Sequence, residues 1–345
     1  MKILVTGAGG FLGVRVVERL LAHGYTDIRC LLRDPAKADR LTKIAESYPD
    51  AQLEFCYGNL RSKADCARAM QGVTLVFHLA AGLKGSAAEM FADSAVASRN
   101  LLETLATRDQ SLVRATRFVL ISSFGVYGVA ALHRGARVDE QTPLETHPEW
   151  RDIYSHSKLR QEQLFWEYQQ RDGFQLVVLR PGVIYGPGGG AFSGRVGLQV
   201  GPLFFHLGGS NLLPLSYVVN CAEAIVVAGT HPDSAGQVYN VHDNELMTAS
   251  RYLREYKRRV KAIRSVRLPY FMTRMLGWSL ETYHRRSQGQ LPAIITRYKA
   301  ASIWGGNQFD NSKLRSLGWR PLVSTPDAMA ANFTHLRELD DPQSG

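Results

Sequence analysis

The chain has 345 residues, of which 45% are hydrophobic and 21% charged, and its formal net charge is +10. Its four cysteines lie far apart and form no C-x-x-C pair, which argues against a disulfide framework and against a zinc site. The N-terminal apolar run spans only four residues and ends in glycines, too short for a signal peptide. We therefore expect a globular, cytoplasmic protein without a bound metal.

Six apolar runs alternate with helical stretches in the first half of the chain. They are rich in Val, Leu and Ile without strict polar alternation, which is typical of a parallel sheet covered on both faces. The runs are KILVTG, DIRCLLR, QLEFCYGNL, LVFHLAA, RFVLISS and LVVLRPG. Helices are expected between them, including 87–107 and 155–171. The pattern predicts an α/β fold with a doubly wound parallel sheet of the Rossmann type.

The alternation becomes irregular beyond Tyr185. We predict a Rossmann domain over residues 1–182, to which a strand near 236–243 returns. A smaller, interleaved C-terminal domain that binds substrate is expected over most of 183–335.

The stretch TGAGGFLG follows the first strand and opens the first helix. Its glycines, Gly7, Gly10 and Gly13, are spaced G-x-x-G-x-x-G. Glycine permits a positive φ, a close approach of the backbone to a phosphate, and tight packing of helix on strand. The helix N-terminus adds free N–H groups and the positive end of its dipole. The turn therefore predicts a site for the pyrophosphate of a dinucleotide.

The end of the second strand indicates which dinucleotide is bound. Chains that bind NAD place an acidic residue there, to accept hydrogen bonds from the ribose. Here the sequence LLRDP places Arg33 at that point, and a guanidinium suits the 2′-phosphate of NADP. Lys37 adds positive charge nearby. A register shifted by one residue would instead bring Asp34 to the ribose, so NADP is favoured and NAD stays open.

The stretch YSHSK carries Tyr154 and Lys158, which lie at i and i+4 on one face of a predicted helix. A free tyrosine has a pKa of about 10 and is a poor base at neutral pH. An ammonium group about 4 Å away favours the phenolate by roughly 4 kcal/mol, which would lower this pKa by up to about three. The pair therefore predicts an acid/base group that works near neutral pH.

These motifs together resemble the extended branch of the short-chain dehydrogenase/reductase superfamily, over roughly residues 1–330. The resemblance implies that Tyr154 exchanges a proton with the substrate oxygen and that Lys158 lowers the tyrosine pKa and binds the nicotinamide ribose. It implies that Ser123, in ISSFGVYG, hydrogen-bonds the substrate oxygen, with Ser122 as the alternative. The asparagine that usually completes this set is replaced by Ser94.

The same resemblance implies a set of cofactor contacts. Asn59 stands where the family holds the adenine, and HLAA resembles the segment beneath the cofactor, where His78 is expected to be structural. The expected cofactor-binding residues are Gly7, Gly10, Phe11, Leu12, Gly13, Arg33, Asn59, Leu60, Leu79, Ala80, Ala81, Tyr154, Lys158, Pro181 and Val183.

The stretch RPGVIYGP resembles the 3β-hydroxysteroid dehydrogenase and dihydroflavonol reductase branches, since Val183 replaces the asparagine of sugar-nucleotide enzymes. We therefore predict an NADP-dependent oxidoreductase that interconverts a secondary alcohol and a ketone on a moderately large, apolar, steroid- or flavonoid-like small molecule. The alternatives are a nucleotide-sugar epimerase or dehydratase with bound NAD(P), and a non-enzymatic dinucleotide sensor.

Most of the positive charge lies in one segment, 251–267, whose apolar residues recur at helical spacing. It predicts a helix with a basic face, either solvated or in peripheral contact with an anionic membrane. No nucleic-acid-binding module accompanies it, so no nucleic-acid partner is expected. The following segment, 268–280, is rich in aromatic residues and Met and is interpreted first as core packing. The alternatives are an apolar wall over a hydrophobic substrate and an amphipathic surface that contacts a membrane. The resemblance further implies a homodimer that pairs through the helix carrying Tyr154, where Leu164, Phe165, Trp166 and Tyr168 are apolar.

Overall fold

A computed structural model describes residues 1–287 and 295–340 of the chain. The strands are β1 (Lys2–Thr6), β2 (Asp27–Leu32), β3 (Gln52–Tyr57), β4 (Val73–His78), β5 (Arg117–Ile121), β6 (Arg137–Val138), β7 (Gln175–Pro181), β8 (Val183–Tyr185), β9 (Gly197–Val200), β10 (Leu203–His206), β11 (Leu215–Tyr217), β12 (Gln237–Val241), β13 (Ser265–Arg267) and β14 (Gln308–Phe309).

The α-helices are α1 (Phe11–Ala22), α2 (Ala38–Ala45), α3 (Lys63–Met70), α4 (Ala87–Phe91), α5 (Ala97–Ala106), α6 (Gln110–Ala115), α7 (Ile153–Asp172), α8 (Val218–Thr230), α9 (Ala249–Arg259), α10 (Tyr270–Arg286), α11 (Arg297–Trp304), α12 (Ser312–Ser316) and α13 (Thr325–Asp340). A π-helical segment, Ala92–Val96, joins α4 to α5.

Seven parallel strands form the central sheet in the order β3-β2-β1-β4-β5-β7-β12. Both faces of the sheet are covered: Ile3 and Val5 of β1 belong to one buried apolar cluster, and Leu4 between them belongs to the cluster on the other side. Burial on both faces explains why the strands read as continuous apolar runs. The predicted α/β Rossmann fold is confirmed.

The strand order reverses between β1 and β4. In open α/β sheets the crevice at such a reversal, outside the carboxyl ends of the strands, is the usual ligand site. Both β1 and β4 end there, at Thr6 and His78. The strand expected near 236–243 is β12, which pairs in parallel with β7 at the edge of the sheet. The division of the chain at residue 182 stays a prediction.

Much of the chain that follows β7 in the sequence forms a second packed region. Here β13, β10 and β9 form a three-stranded sheet, and a separate apolar cluster joins α9 to α13 through Tyr252 and Phe333. The helix predicted over 251–267 is wrong in its second half: α9 ends at Arg259, and Ser265–Arg267 forms β13 beside β10. Helical spacing in the sequence is a local signal, whereas the free edge of β10 offers a hydrogen-bonding partner that the sequence does not reveal.

The helix that carries YSHSK begins with a side-chain cap, because the Asp152 carboxylate accepts a hydrogen bond from the Ser155 N–H. It ends at Gly173, which takes a left-handed conformation with φ of 80°. None of the helices in the described part of the chain is long and apolar enough to cross a membrane.

Candidate active site

The glycine turn is packed so tightly that side chains are excluded from it. Gly7 has a φ of 70°, and its carbonyl accepts a hydrogen bond from the Gly10 N–H at 3.0 Å. A Cβ on Gly13 would lie 2.1 Å from the Gly7 oxygen, so α1 can approach β1 only with glycine there. Within the described part of the chain no side chain caps the start of α1, so the N–H groups of Phe11 and Leu12 can bind a ligand.

The segment Leu79–Ala81 lies directly beside this turn. The Ala80 N–H donates to the Thr6 hydroxyl at 3.2 Å, and a Cβ on Gly7 would lie 3.1 Å from the Ala80 nitrogen. The glycine turn and this segment together form what we call the glycine crevice. Its geometry fits the pyrophosphate of a dinucleotide, because glycine lets a phosphate approach the backbone closely.

The charged residues after β2 take different partners. Arg33 is exposed and donates to Asp93 at 3.0 Å, and Arg61 donates to the same carboxylate at 2.8 Å. The Asp34 carboxylate is occupied as the cap of a short 3₁₀ turn, where it accepts from the Ala36 N–H at 3.1 Å. Lys37 lies against the glycine turn, since a Cβ on Gly9 would lie 2.8 Å from the Lys37 Cβ. Three basic side chains therefore lie at this edge, of which Arg33 and Arg61 share the Asp93 carboxylate, so a phosphate bound here would compete with Asp93 for them.

The two residues expected near the adenine differ in exposure. Asn59 is exposed, and its side-chain oxygen accepts from the Arg61 N–H at 3.0 Å. Leu60 is buried in the core, and its carbonyl already accepts from the Asn100 amide at 3.0 Å. Leu60 therefore offers little to a ligand beyond supporting its neighbour.

Tyr154 and Ser123 face one cavity of about 390 Å³, which we call the Tyr154 cavity. It is lined by Ser123, Phe124, Gly125, Arg151, Asp152, Tyr154, Ser155, Gly182, Val183, Ser193, Gly194, Arg195, Leu198, Leu207, Pro214, Ile295, Tyr298, Lys299, Ser302 and Ile303. Burial raises the pKa of Tyr154, and a hydrogen bond with Ser123 offsets part of that rise. The predicted lowering of this pKa is thus not what the structure gives, because burial dominates.

Lys158 lies beneath the cavity rather than in its wall. Its ammonium donates to the Ile121 carbonyl at 2.5 Å and to the side-chain oxygen of Gln161. Burial lowers the pKa of Lys158 to about 7, against the opposing influence of the Glu162 carboxylate. An amine with that pKa can gain or lose a proton near neutral pH, as a proton-transfer site requires.

Gln161 connects Lys158 to the glycine crevice. Its amide nitrogen donates to the Ser98 hydroxyl at 2.8 Å and to the Ala80 carbonyl at 3.2 Å, and it lies 3.1 Å from Nε2 of His78. His78 is fully buried, which lowers its pKa to about 3, so its ring is neutral. The sequence analysis did not predict a role for Gln161. Its position three residues after Lys158, on the same helix face, is the feature that could have indicated it.

The two candidate serines are separated by the structure. Ser122 is buried and donates to Glu162, which forms an ion pair with Arg180 at 2.5 Å. Ser123 lines the Tyr154 cavity, so it is the serine placed to meet a substrate. Ser94 is buried behind this site and accepts from the Gly82 N–H at 3.0 Å.

The Tyr154 cavity also contains polar residues that the sequence did not indicate. Arg151 and Asp152 precede α7, Arg195 comes from the loop before β9, and Tyr298 and Lys299 come from α11. These segments are far apart in the chain, so only the tertiary structure brings them together. Pro181 ends β7, and Val183 lies two residues later in the wall of the cavity.

Comparisons with known proteins agree with this geometry. The family model of the NAD dependent epimerase/dehydratase family matches residues 3–241. An uncharacterized UDP-glucose epimerase, YtcB, of Bacillus subtilis is 30% identical over 70% of this chain and 76% of its own length. A 3-beta-hydroxysteroid dehydrogenase of Mycolicibacterium neoaurum is 27% identical over 99% of this chain and 92% of its own length.

Solved structures share the fold. The UDP-glucose 4-epimerase of Thermus thermophilus, determined with NAD, superposes with a TM-score of 0.66 at 23% identity, covering 98% of this chain and 99% of that one. The UDP-glucose 4-epimerase of Bifidobacterium longum, in complex with NAD+ and UDP, gives a TM-score of 0.70 at 19% identity, with full coverage of both chains. The chain therefore belongs to the NAD dependent epimerase/dehydratase family, and it is an NAD(P)-dependent enzyme of the extended short-chain dehydrogenase/reductase type.

Proposed function

We propose that the protein is an NADP-dependent oxidoreductase that interconverts a secondary alcohol and a ketone on a moderately large substrate. The observation that carries the proposal is the placement of the Tyr154 phenol and Ser123 in one cavity, with Lys158 buried directly behind them. The cavity volume of about 390 Å³ lies within the ordinary range for small-molecule sites.

In this mechanism Tyr154 holds the proton that is exchanged with the substrate oxygen. Because burial raises its pKa, the phenol keeps its proton at neutral pH and is set to donate it to a carbonyl during reduction. Ser123 hydrogen-bonds the same oxygen, and Lys158, with a pKa of about 7, is a buried group on the same helix that can gain or lose a proton near neutral pH. A nicotinamide bound in the glycine crevice would supply or accept the hydride.

The preference for NADP is also a proposal. It is supported by Arg33, Arg61 and Lys37 around the end of β2 and by the capping role that occupies Asp34. Arg33→Ser is expected to weaken NADPH binding about tenfold and to leave NADH binding nearly unchanged, because a charged hydrogen bond to phosphate is lost. If the variant bound NADPH and NADH equally more weakly, Arg33 would not be the residue that recognises the 2′-phosphate.

The proposed reaction is tested with Tyr154→Phe, which removes only the exchangeable proton. We expect hydride transfer from NADPH to a panel of ketones to fall by at least about 10²-fold, while the Kd for NADPH stays within about twofold. Tyr168→Phe on the same helix is the matched control, since its hydroxyl contacts Glu103 and not the cavity. Turnover retained by Tyr154→Phe would refute the mechanism.

The alternative function is a nucleotide-sugar epimerase or dehydratase, favoured by the similarity to the Bacillus subtilis protein. It predicts that UDP-glucose raises the Tm of the protein with cofactor bound, and that the purified protein retains dinucleotide. A Tm unchanged by UDP- and GDP-sugars would exclude it.

A homodimer and a cytoplasmic location are further proposals. The apolar residues expected to form the dimer are used differently: Leu164 and Phe165 are buried in the core of their own chain, and Trp166 and Tyr168 are half-buried. Of these four residues, only Trp166 and Tyr168 can contribute to an interface between paired helices. Light scattering tests this by comparing the molar mass of the wild type with that of Trp166→Glu, which should be lower if the interface exists.

A further inference from the structure

The lining of the Tyr154 cavity carries an excess of positive charge. Among its lining residues Arg151, Arg195 and Lys299 are cationic, and Asp152 is the acidic one. A cavity with low-dielectric walls concentrates the field of such groups, so the excess favours a ligand that carries negative charge.

Arg151 and Asp152 are already held by neighbours. The Arg151 guanidinium donates to the Tyr127 carbonyl at 3.1 Å, to the Tyr298 hydroxyl at 3.1 Å and to the Ser155 hydroxyl at 3.2 Å. The Asp152 carboxylate accepts from the backbone and hydroxyl of Ser155. Both groups therefore stabilise the start of α7, and their hydrogen-bonding capacity is largely used.

Arg195 differs from them. Its side chain is half-buried in the cavity wall, and in the described part of the chain its guanidinium has no hydrogen-bond acceptor and no carboxylate within ion-pair distance. Burial, together with the Arg151 guanidinium, lowers the pKa of Arg195 to about 10. A half-buried guanidinium without a partner keeps its charge only partly solvated, and an anion placed beside it would supply the missing hydrogen-bond acceptors.

We infer that the substrate carries an anionic group, a carboxylate or a phosphate, that Arg195 binds with its planar pair of N–H donors. Leu198, Leu207 and Ile303 line the same cavity and contact the apolar part of the substrate. The inference rests on the proposed function only in taking this cavity as the substrate site. The inference changes the expected substrate from a steroid- or flavonoid-like molecule to an amphiphilic molecule with one charged end.

Binding without turnover tests the inference. Isothermal titration of the protein saturated with NADP+ would compare decanoate, decyl phosphate and decanol, which share one chain and differ in charge. We expect the two anions to bind at least about tenfold more tightly than decanol, and Arg195→Met to remove that difference without changing the Kd for decanol. Arg254→Met, which removes an exposed guanidinium from α9, should leave all three unchanged.

The ratio of the Kd for decanoate to the Kd for decyl phosphate shows whether the site prefers a carboxylate or a phosphate. Equal binding of anions and decanol to the wild type, absence of any binding, or unchanged anion binding by Arg195→Met would overturn the inference. The titration measures binding and not hydride transfer. Its result can therefore be interpreted even if the proposed oxidoreductase activity proves wrong.

A second inference comes from a different surface. Helix α10 exposes Phe271, Met275 and Trp278 by 62%, 65% and 56%, respectively. These residues follow one another at i, i+4 and i+7, so they form a single ridge, which we call the α10 ridge. Large apolar side chains grouped in this way mark a surface for interaction.

The surroundings of the α10 ridge are basic. A groove of about 360 Å³ on it is lined by Tyr270, Phe271, Arg274, Met275, Trp278 and Arg297. Arg297 is paired with Glu281, whereas Arg274 has no acidic partner in the described part of the chain. Aromatic side chains mixed with arginines match the boundary of an anionic bilayer, where the rings enter the acyl region and the guanidinium groups meet phosphates.

We propose that the α10 ridge docks the protein on an anionic membrane surface. The ridge lies close to the Tyr154 cavity, because α10 packs on α11: a Cβ on Gly277 would lie 2.8 Å from the Thr296 carbonyl carbon, and Ile295, Tyr298 and Lys299 beside it line the cavity. Docking here would bring the cavity near molecules that partition into the membrane.

Cosedimentation with vesicles tests the docking surface. We expect the wild type to sediment with phosphatidylglycerol/phosphatidylcholine vesicles and to stay in solution with pure phosphatidylcholine. Replacing Phe271, Met275 and Trp278 together by Ser should reduce binding at least about tenfold. Leu112→Ser, an exposed leucine on α6, is the control.

Failure of the wild type to bind the anionic vesicles, or equal binding by the triple variant, would refute membrane docking. A dimer in solution that the triple variant abolishes would assign the ridge to a second copy of the chain and would also overturn the proposal.

Discussion

The glycine crevice and the Tyr154 cavity are built in different ways. In the crevice, backbone atoms pack so closely that a single Cβ at Gly13 would lie 2.1 Å from a carbonyl oxygen. In the cavity, side chains such as Arg195 and Tyr298 come from distant segments and enclose open space. The difference teaches that the proposed pyrophosphate site depends on close packing of backbone, whereas the Tyr154 cavity depends on side chains that the fold assembles from distant segments.

The strongest test of this contrast is a single methyl group in each region. Gly13→Ala should destabilise the protein by about 4–5 kcal/mol or more, or abolish dinucleotide binding, because the new Cβ cannot be accommodated between α1 and β1. Gly194→Ala in the wall of the Tyr154 cavity, whose Cβ would meet no atom within 4 Å, should change little. Urea denaturation and NADPH titration measure both. A stable Gly13→Ala protein with wild-type affinity would break the comparison.

A buried ion pair, Glu162 with Arg180, lies behind Ser122. Glu162→Gln leaves the Arg180 guanidinium without its counter-charge in the core, so we expect a loss of about 3–5 kcal/mol in the free energy of unfolding. Glu167→Gln, on the same helix, breaks the exposed pair with Arg160 and should cost no more than about 1 kcal/mol. Similar losses for both variants would show that Glu162 is not essential to the core.

His78, between the crevice and Lys158, should make stability depend on pH. Its pKa of about 3 in the folded state lies below the usual value, so between pH 6.5 and 3 the unfolded chain binds the extra proton. Stability must then fall as the pH falls through that window, by on the order of 3 kcal/mol between pH 7 and pH 4 from this group.

His78→Asn cannot take up that proton, so its stability should decline less over the same interval than that of the wild type. Urea midpoints at pH 7 and pH 4 for both proteins measure the difference. Parallel declines would exclude His78 as the cause.

The smallest effect is expected on the α10 ridge. Trp278→Ala removes a mostly exposed ring, so we expect the free energy of unfolding to change by no more than about 0.5 kcal/mol. Trp319→Ala removes a ring that is 1% exposed and belongs to the core, and should cost about 3–5 kcal/mol. Thermal unfolding of the two variants compares them. A large loss in Trp278→Ala would assign the ridge a role in folding instead of docking.

Core packing is the first interpretation that the sequence of residues 268–280 suggests, and for the α10 ridge it is wrong, since its large side chains are exposed. Composition alone does not separate a buried aromatic helix from an exposed one, because both are rich in the same residues. In the same way, the basic segment 251–267 keeps helical spacing across a helix and a strand. In the basic segment, pairing with β10 decided the outcome, whereas the α10 ridge stays exposed in the described part of the chain.

The sequence by itself determined the sheet, the glycine turn and the pairing of Tyr154 with Lys158 on one helix, because each depends on local spacing or on the period of a single element. Only the tertiary structure decided that Ser123 rather than Ser122 faces the cavity, that Gln161 holds Lys158, and that Arg195 enters the cavity wall without a partner in the described part of the chain. Those outcomes depend on which groups from distant segments meet, and on burial, which sets the pKa of Tyr154 and Lys158 more strongly than their spacing does.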